Sequence, residues 1–391
     1  MLIINHKKDC SGCYACYSIC PNKCLSMSQD DEGFWYPEID KPNCSDCKHC
    51  EEICPILKKT IVDNTPVAYA CVNRNLAARL GSSSGGVFTL IAEETINKGG
   101  VVFGAGFDED FNVLHAEATT ISQISSFRGS KYVQSKIGET YKKAGTYLRE
   151  GRKVLFSGTP CQIGGLKAYL RKDYGSLFCV DIICHGVPSP KVWEEYIAYR
   201  EKFAGSSAQH VSFRQKSKGW RQFSLSFLFK NQAAYLEKND KDLYMQAFLR
   251  NVCLRPSCYA CAFKTIHRQS DITLGDFWGV ENVVPELDDD KGVSLVLVNS
   301  KKGENLFNII SDKMMTREVD LNKAITLNYP AIRSVPLNPN REKFFTELSS
   351  LRFDKLVGKY CSDSISLRCK KLFWMILYTM KVKLYNRIRR K

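Results

Sequence analysis

Across 391 residues the chain has no apolar stretch approaching the length needed to cross a bilayer, which leaves no candidate for a transmembrane helix. The opening segment, MLIINHKKDC, lacks the apolar core of a secretory signal. A G-x-G-x-x-G sequence is missing, so the Rossmann dinucleotide fingerprint is absent. Low-complexity tracts are missing too, and nothing resembles a nucleic-acid reading module. Acidic residues are absent from 368–391, where nine Lys or Arg occur.

What the chain has in excess is cysteine, eighteen residues in all. Cys10, Cys13, Cys16 and Cys20 precede Pro21, and Cys44, Cys47, Cys50 and Cys54 precede Pro55. Both runs read C-x2-C-x2-C-x3-C-P, the bacterial ferredoxin pattern for a 4Fe-4S cluster. In two-cluster ferredoxins the fourth cysteine of each run ligates the other cluster. The spacing therefore predicts Cys10, Cys13, Cys16 and Cys54 on one centre, and Cys44, Cys47, Cys50 and Cys20 on the second. Structural zinc takes two C-x2-C-type pairs across a spacer and gains nothing from three thiols at strict three-residue steps. A cubane does gain, because a tight loop wraps three corners and a distant thiol closes the fourth. Cys24 fits neither set and is expected to be a packed thiol. Such a chain belongs in a reducing compartment, and the expectation is a cytoplasmic protein that moves single electrons.

Apolar residues make up 44% and charged residues 25%, as in ordinary globular proteins, and the length allows two or three domains. The net charge of +15 is unevenly placed, since residues 368–391 supply nine of it. Within that tail the segment LFWMILY (372–378) is an apolar patch between basic residues. A basic amphipathic helix of this kind lies on an anionic membrane surface or docks on its own protein. Peripheral membrane contact is therefore one expectation, and nucleic acid is not an expected partner.

Residues 1–58 read as a ferredoxin-like module, with 30–43 supplying a strand and turn between the two cluster loops. A polar link, 59–66, precedes a change of texture in which strand-like apolar runs alternate with helical segments. Expected strands cover 66–72, 101–106, 153–158 and 177–183, and expected helices cover 87–97 and 162–172. The stretch 153–183 reads as a βαβ unit, whose ligands bind at the carboxyl ends of the strands. Beyond 205 the pattern is richer in strand: 211–214 and 223–229 pair as a hairpin across 216–220, and 271–277 and 293–298 are further strands. The expected fold class is α+β.

Two features of the body carry chemistry. Gly81-Ser82-Ser83-Ser84-Gly85-Gly86 opens a helix. Unshielded N–H groups there, with serine hydroxyls, make a phosphate cradle suited to a flavin dinucleotide, or simply a loop. Cys161 and Cys184 follow two strands expected to be parallel neighbours, and Cys258 with Cys261 form a C-x2-C pair. Four thiolates suffice for a third cubane or a zinc, with Cys253 as an alternative ligand. The plainer reading is cysteines buried as small hydrophobes. His185, Asp276 and Trp278 read as turn residues.

These segments together resemble the beta-subunit family of coenzyme F420 hydrogenases and dehydrogenases, in its bacterial form with an N-terminal ferredoxin domain. The resemblance covers roughly residues 1–300 and rests on GSSSGGVF (81–88), FRGSKYVQS (127–135), VLFSGTPCQIGGL (154–166), VDIICHGVPSPKVW (180–193), LRPSCYACAFK (254–264) and SDITLGDFWG (270–279). It implies family domains at 67–150 and 151–330, a bound FAD, and a third 4Fe-4S cluster on Cys161, Cys184, Cys258 and Cys261. Ser82, Ser84, Gly85 and Gly86 would lie in the flavin-binding region, with Lys131 and Tyr132 lining the same pocket. The chain is then a ferredoxin-like module, an α/β flavin-binding body and a basic helical tail at 331–391. Family members pass a hydride between flavin and a deazaflavin and send single electrons along clusters. The expected activity is that of a flavin-dependent iron–sulfur oxidoreductase with a small-molecule hydride donor or acceptor and a redox partner protein. No catalytic residue is assigned, because the cofactor carries the chemistry. Fold does not fix substrate, so a flavin-free electron-relay subunit and a redox enzyme of surface-polysaccharide synthesis are the alternatives.

Overall fold

A computed structural model describes residues 6–362; the basic segment 368–391 and its apolar patch lie outside the described residues. The fold is α+β. Among the described residues no helix is long and apolar enough to cross a membrane.

In the N-terminal module β1 (Leu25–Gln29) and β2 (Trp35–Ile39) form an antiparallel hairpin between the two cysteine runs. Each run makes the same backbone turn. Gly12 and Asp46 have φ of +67° and +51°, and Tyr14 and Lys48 have φ of +66° and +61°, at corresponding positions of the two runs. Left-handed residues alternating with right-handed ones turn successive N–H groups inward, a nest suited to an iron–sulfur cluster. Three of those four are not glycine, so each loop holds backbone strain that its surroundings must enforce.

The remaining strands, in chain order, are β3 (Val67–Asn73), β4 (Val101–Phe107), β5 (Val113–Ala118), β6 (Val154–Gly158), β7 (Leu177–Ile182), β8 (Ala208–Gln215), β9 (Ser224–Phe229), β10 (Ala234–Lys238), β11 (Ile272–Asp276), β12 (Ser294–Val298) and β13 (Met314–Val319). Eight of them build one sheet in the order β13-β3-β12-β11-β7-β6-β4-β5. Its centre, β11-β7-β6-β4, is parallel, and its flanks are antiparallel. Apolar runs such as VLF in β6 and SLVLV in β12 suit strands covered on both faces. On one face Leu155, Val180 and Val296 meet helices Val87–Asn97 and Lys301–Ile310; on the other Val154, Phe156 and Cys179 meet helices Thr140–Arg149 and Pro160–Leu170. Strands from both sides of position 150 share this sheet.

A second, three-stranded sheet, β10-β9-β8, contains the hairpin expected at 211–229. It packs through Phe213 and Phe227 on Trp193, Tyr196 and Tyr244 of two helices, Pro190–Ala204 and Leu243–Leu249. The helix expected at 162–172 begins two residues earlier, at Pro160. Proline fits a helix's first turn, and Thr159 with Gln162 forms a capping box there. Gly165 of this helix lets the ferredoxin module approach: a Cβ there would stand 2.9 Å from Cys13 Cβ.

The parallel strands β6, β7 and β11 all run toward one sheet edge. Ser294 pairs there with Asp276 on one side and Cys71 on the other, which brings the loop after β3 to the same edge. Gly85 anchors that loop, since a Cβ would lie 2.3 Å from Cys71 O and 2.7 Å from Ser294 N. Neither backbone atom can yield without breaking a strand pair. Gly85→Ala is therefore expected to cost about 3 kcal/mol or more by overpacking. Gly175→Ala, with nothing within 4 Å of its Cβ, should stay within about 0.5 kcal/mol of wild type. Urea denaturation under anaerobic conditions compares the two, and equal losses would contradict the close packing.

Candidate redox centres

The N-terminal module brings Cys54 to the first three cysteines. Cys13 is pushed up to about 12 by burial and then by Cys10 and Cys54; Cys16 rises by burial and by Cys13, Cys10 and Cys54; Cys54 rises by burial, with Cys10 adding to it. The Gly12 N–H points at Cys10 Sγ, 3.4 Å away. Thiols crowded and buried in this way ionise only against cations, which the iron of a cluster supplies. Cys20 crosses in the opposite direction: it lines one small cavity with Cys44, Cys47 and Cys50. Cys24 is buried as expected for a packed thiol, yet it also lines that cavity, its Sγ 3.3 Å from that of Cys20. Among the described residues no three His, Cys, Asp or Glu converge as on a single metal ion; the ligands of a cubane stand at its separate corners.

At the edge of the large sheet Cys161, Cys184, Cys258 and Cys261 line one cavity of about 380 Å³. Parallel neighbours β6 and β7 deliver the first two. Cys161 sits in the first turn of helix Pro160–Leu170, where the dipole favours a thiolate, and Thr159 Oγ1 is 3.1 Å from its sulfur. The helical turn Pro256–Ala260 supplies Cys258, whose sulfur accepts the Val187 N–H at 3.4 Å. Burial and the other thiols push Cys161 far up; burial raises Cys184, and Cys258 goes to about 12 by burial and Cys184. Four mutually repelling thiolates in such a place fit a polynuclear iron centre. The ferredoxin module also lines this cavity, through Asp9 and Ser11, which flank Cys10, and through Ile56, two residues after Cys54. Cys253 lies off this wall, buried in the aromatic core with Cys361 as its neighbouring thiol. His185 is packed on the cavity rim, its Nε2 2.7 Å from Asn251 Oδ1.

Along the same edge lies the serine–glycine loop. Ser82 Oγ donates to Ala78 O and Ser84 Oγ to Val293 O, both at 2.7 Å, and the Gly85 N–H donates to Ser294 Oγ at 3.0 Å. These donors therefore build the loop. Gly86, at φ +84°, starts helix Val87–Asn97 without a side-chain cap, leaving the first N–H groups open. Ser83 ties the loop to its neighbour by accepting the Ser130 N–H at 2.6 Å. Lys131 Nζ donates to Ser126 O at 2.7 Å and Arg128 O at 2.9 Å, and burial pushes it down to about 7. Tyr132 stacks on Phe248 at 4.7 Å, and its hydroxyl accepts from Arg214 at 3.0 Å.

Arg214 is the residue that sequence reasoning missed. It holds Asp276 through two hydrogen bonds of 2.7 and 3.1 Å and donates to Ser83 O at 3.1 Å. Trp220 Nε1 also donates to Asp276, at 3.0 Å, and its ring stacks on Trp278 at 4.8 Å. Asp276 and Trp278, read as turn residues, are thus half-buried parts of one assembly with the buried Arg214 and Trp220. Four guanidinium nitrogens are buried without a partner among the described residues, and two of them, Arg128 Nε and Arg214 Nε, belong to side chains at this loop. Orphaned buried donors call for an acceptor, and two arginines beside an uncapped helix start fit a diphosphate. Arg128 could have been suspected from its place in FRGSKYVQS; Arg214 carries no local signal.

Residues 151–323 match the family described as the C terminus of the beta subunit of coenzyme F420 hydrogenase/dehydrogenase, and residues 9–56 match the 4Fe-4S dicluster domain. The N-terminal module accordingly holds two 4Fe-4S clusters and serves electron transfer. No curated protein matches the chain. Among solved structures it is similar to a chain of the F420-reducing NiFe hydrogenase complex from Methanosarcina barkeri. That chain is 18% identical, the match covers 70% of this chain and 90% of that one, and the TM-score is 0.48.

The crossing of the fourth cysteines can be counted in iron. Cys13→Ser with Cys54→Ser removes two ligands of the same centre, so about four iron atoms are lost. Cys13→Ser with Cys20→Ser strikes both centres, and about eight are lost. Iron analysis of the two anaerobically purified double variants checks this; ligation within each run would exchange the two results.

Proposed function

We propose that this chain, a member of the coenzyme F420 hydrogenase/dehydrogenase beta-subunit family with an N-terminal ferredoxin domain, is an iron–sulfur flavoprotein oxidoreductase. It exchanges a hydride with a small molecule, a deazaflavin or another, and single electrons with a partner protein. One observation carries this reading: the cavity lined by Cys161, Cys184, Cys258 and Cys261 is also lined by the loop of the first ferredoxin centre. A third cluster on those four cysteines would complete a line from the sheet edge to the N-terminal module.

The chain's own groups have separable tasks. Arg128, Arg214 and the open N–H groups at the start of helix Val87–Asn97 would hold the FAD diphosphate. Asp276 fixes Arg214, and the stacked pair Trp220 and Trp278 walls the assembly from the side. A bound flavin accepts electrons in pairs as hydride and releases them singly. Cys161, Cys184, Cys258 and Cys261 offer the thiolates for the intermediate centre, and the two cysteine runs continue the route. Cys47 and Lys48 are exposed, so the second ferredoxin centre is the natural exit toward a partner protein.

The flavin-free relay keeps one observation in its favour, namely that the hydroxyls of Ser82 and Ser84 are engaged within the fold. Composition separates the readings. The anaerobically purified chain should contain about twelve iron atoms and one FAD; about eight iron atoms and no flavin absorption would leave the relay. Arg128→Met should weaken FAD binding by about tenfold, the worth of one charge-assisted hydrogen bond, with iron content unchanged. Flavin titration followed by fluorescence reads the affinity, and an unaltered value would remove Arg128 from the site.

A further inference from the structure

Four arginines are buried among the described residues, and three are answered by carboxylates. Arg79 pairs with Asp289 at 2.5 Å, Arg214 with Asp276 at 2.7 Å, and Arg268 with Asp181 at 3.6 Å. Arg255 differs. It is 0% exposed, and among the described residues no carboxylate pairs with it. Its Nε donates to Cys10 O at 2.9 Å, one Nη to Gln134 Oε1 at 3.4 Å, and the other Nη is buried without a partner. The guanidinium lies 4.0 Å from the centre of the Tyr36 ring. Gly12 makes room for it, since a Cβ there would stand 3.0 Å from Arg255 Cζ.

The position of Arg255 is as unusual as its isolation. Its backbone belongs to the turn that carries Cys258, whose N–H donates to Arg255 O at 2.9 Å. Its side chain ends on the loop that carries Cys10 and Cys13. A guanidinium cannot shed its proton, and a buried cation without a counter-ion is strongly unfavourable. Anions on both sides would relieve it, and a 4Fe-4S cluster on four thiolates is a net anion whose charge grows on reduction.

We infer that Arg255 is the fixed positive charge between the centre of Cys161, Cys184, Cys258 and Cys261 and the centre of Cys10, Cys13, Cys16 and Cys54, and that it sets the electron step between them. The inference rests on the third-cluster reading above. One electron leaves one centre and enters the other, and no proton moves, because the guanidinium stays charged throughout. Arg255 favours the reduced form on either side, as charge and hydrogen bonding near a cluster do. Its Nε bond to Cys10 O links the two ligand loops by a single contact. It is a positioning residue and touches neither flavin nor substrate.

Iron analysis of the anaerobically prepared wild-type chain comes first: about twelve atoms support the third centre, and about eight overturn it together with this inference. Arg255→Gln then keeps a donor for Cys10 while removing the charge, and Arg255→Lys keeps the charge. Potentiometric titration followed by EPR reads the midpoint potential of each cluster. At full iron content, Arg255→Gln should lower two of the three midpoints and leave the third in place, with Arg255→Lys at the wild-type values. Unchanged midpoints in Arg255→Gln would make Arg255 a structural clamp and overturn the inference. Should Arg255→Gln fail to retain its iron, Arg255→Lys decides: wild-type midpoints at full iron support the inference, and lowered ones overturn it.

Discussion

Five consecutive residue pairs, from Val154↔Leu177 to Gly158↔Asp181, join β6 to β7 in parallel, and the positions of the functional groups follow from that ladder. Parallel strands end on the same side, so Cys161 and Cys184 leave the sheet together. Val180 to Ile182 then fix β11 in the same direction, which brings Asp276 to that edge. The antiparallel turn-back of β12 and β3 returns the serine–glycine loop to it as well. A slip of one residue in β7 would exchange its buried faces and carry Cys184 away from Cys161. The ferredoxin module docks on the helix that leaves β6, so it too depends on this pairing.

Much of this was legible in the sequence because the signals are local. The repeat of the cysteine runs, the apolar strands flanking a helix at 153–183 and the hairpin at 211–229 each declare themselves within a few dozen residues. Capping chemistry outweighed hydrophobic pattern at Pro160, and backbone pairing carried β8 beyond the expected 211–214 at both ends, to Ala208–Gln215. The site was harder to read. Ser82 and Ser84 look like ligand donors in a linear string, yet the nearest acceptors for their hydroxyls are the chain's own carbonyls. Cys24 looks like a spare thiol until the fold sets it against Cys20. Arg214 is invisible to any short window, since its partner lies 62 residues away; Arg255 stands within LRPSCYACAFK, but its contact with Cys10, 245 residues away, does not show there.

Those arginines also revise the meaning of the basic composition. A net charge of +15, nine of it at the C-terminal end, suggests a surface property. Inside the fold, however, buried guanidinium groups stand beside the sites proposed for anionic groups. Arg79 and Arg268 are neutralised locally by aspartates, Arg214 is only partly absorbed by Asp276, and Arg255 is left over. The surplus is graded toward the places where sulfur and phosphate are expected to sit. Charge balance in this chain would thus be completed by the groups proposed to bind there.

The two ferredoxin loops share their left-handed turns while differing in what those turns present. In one, Tyr14 is 2% exposed and buried against the body; in the other, the matching Lys48 faces solvent. A part whose halves are related by an internal repeat has thereby been given a front and a back. The backbone geometry, which the cluster demands, is common property of both halves; the side chains, which the cluster ignores, turn one half into a plug and the other into a socket. An internal repeat thus acquires two unlike ends, and the difference is written at two residues.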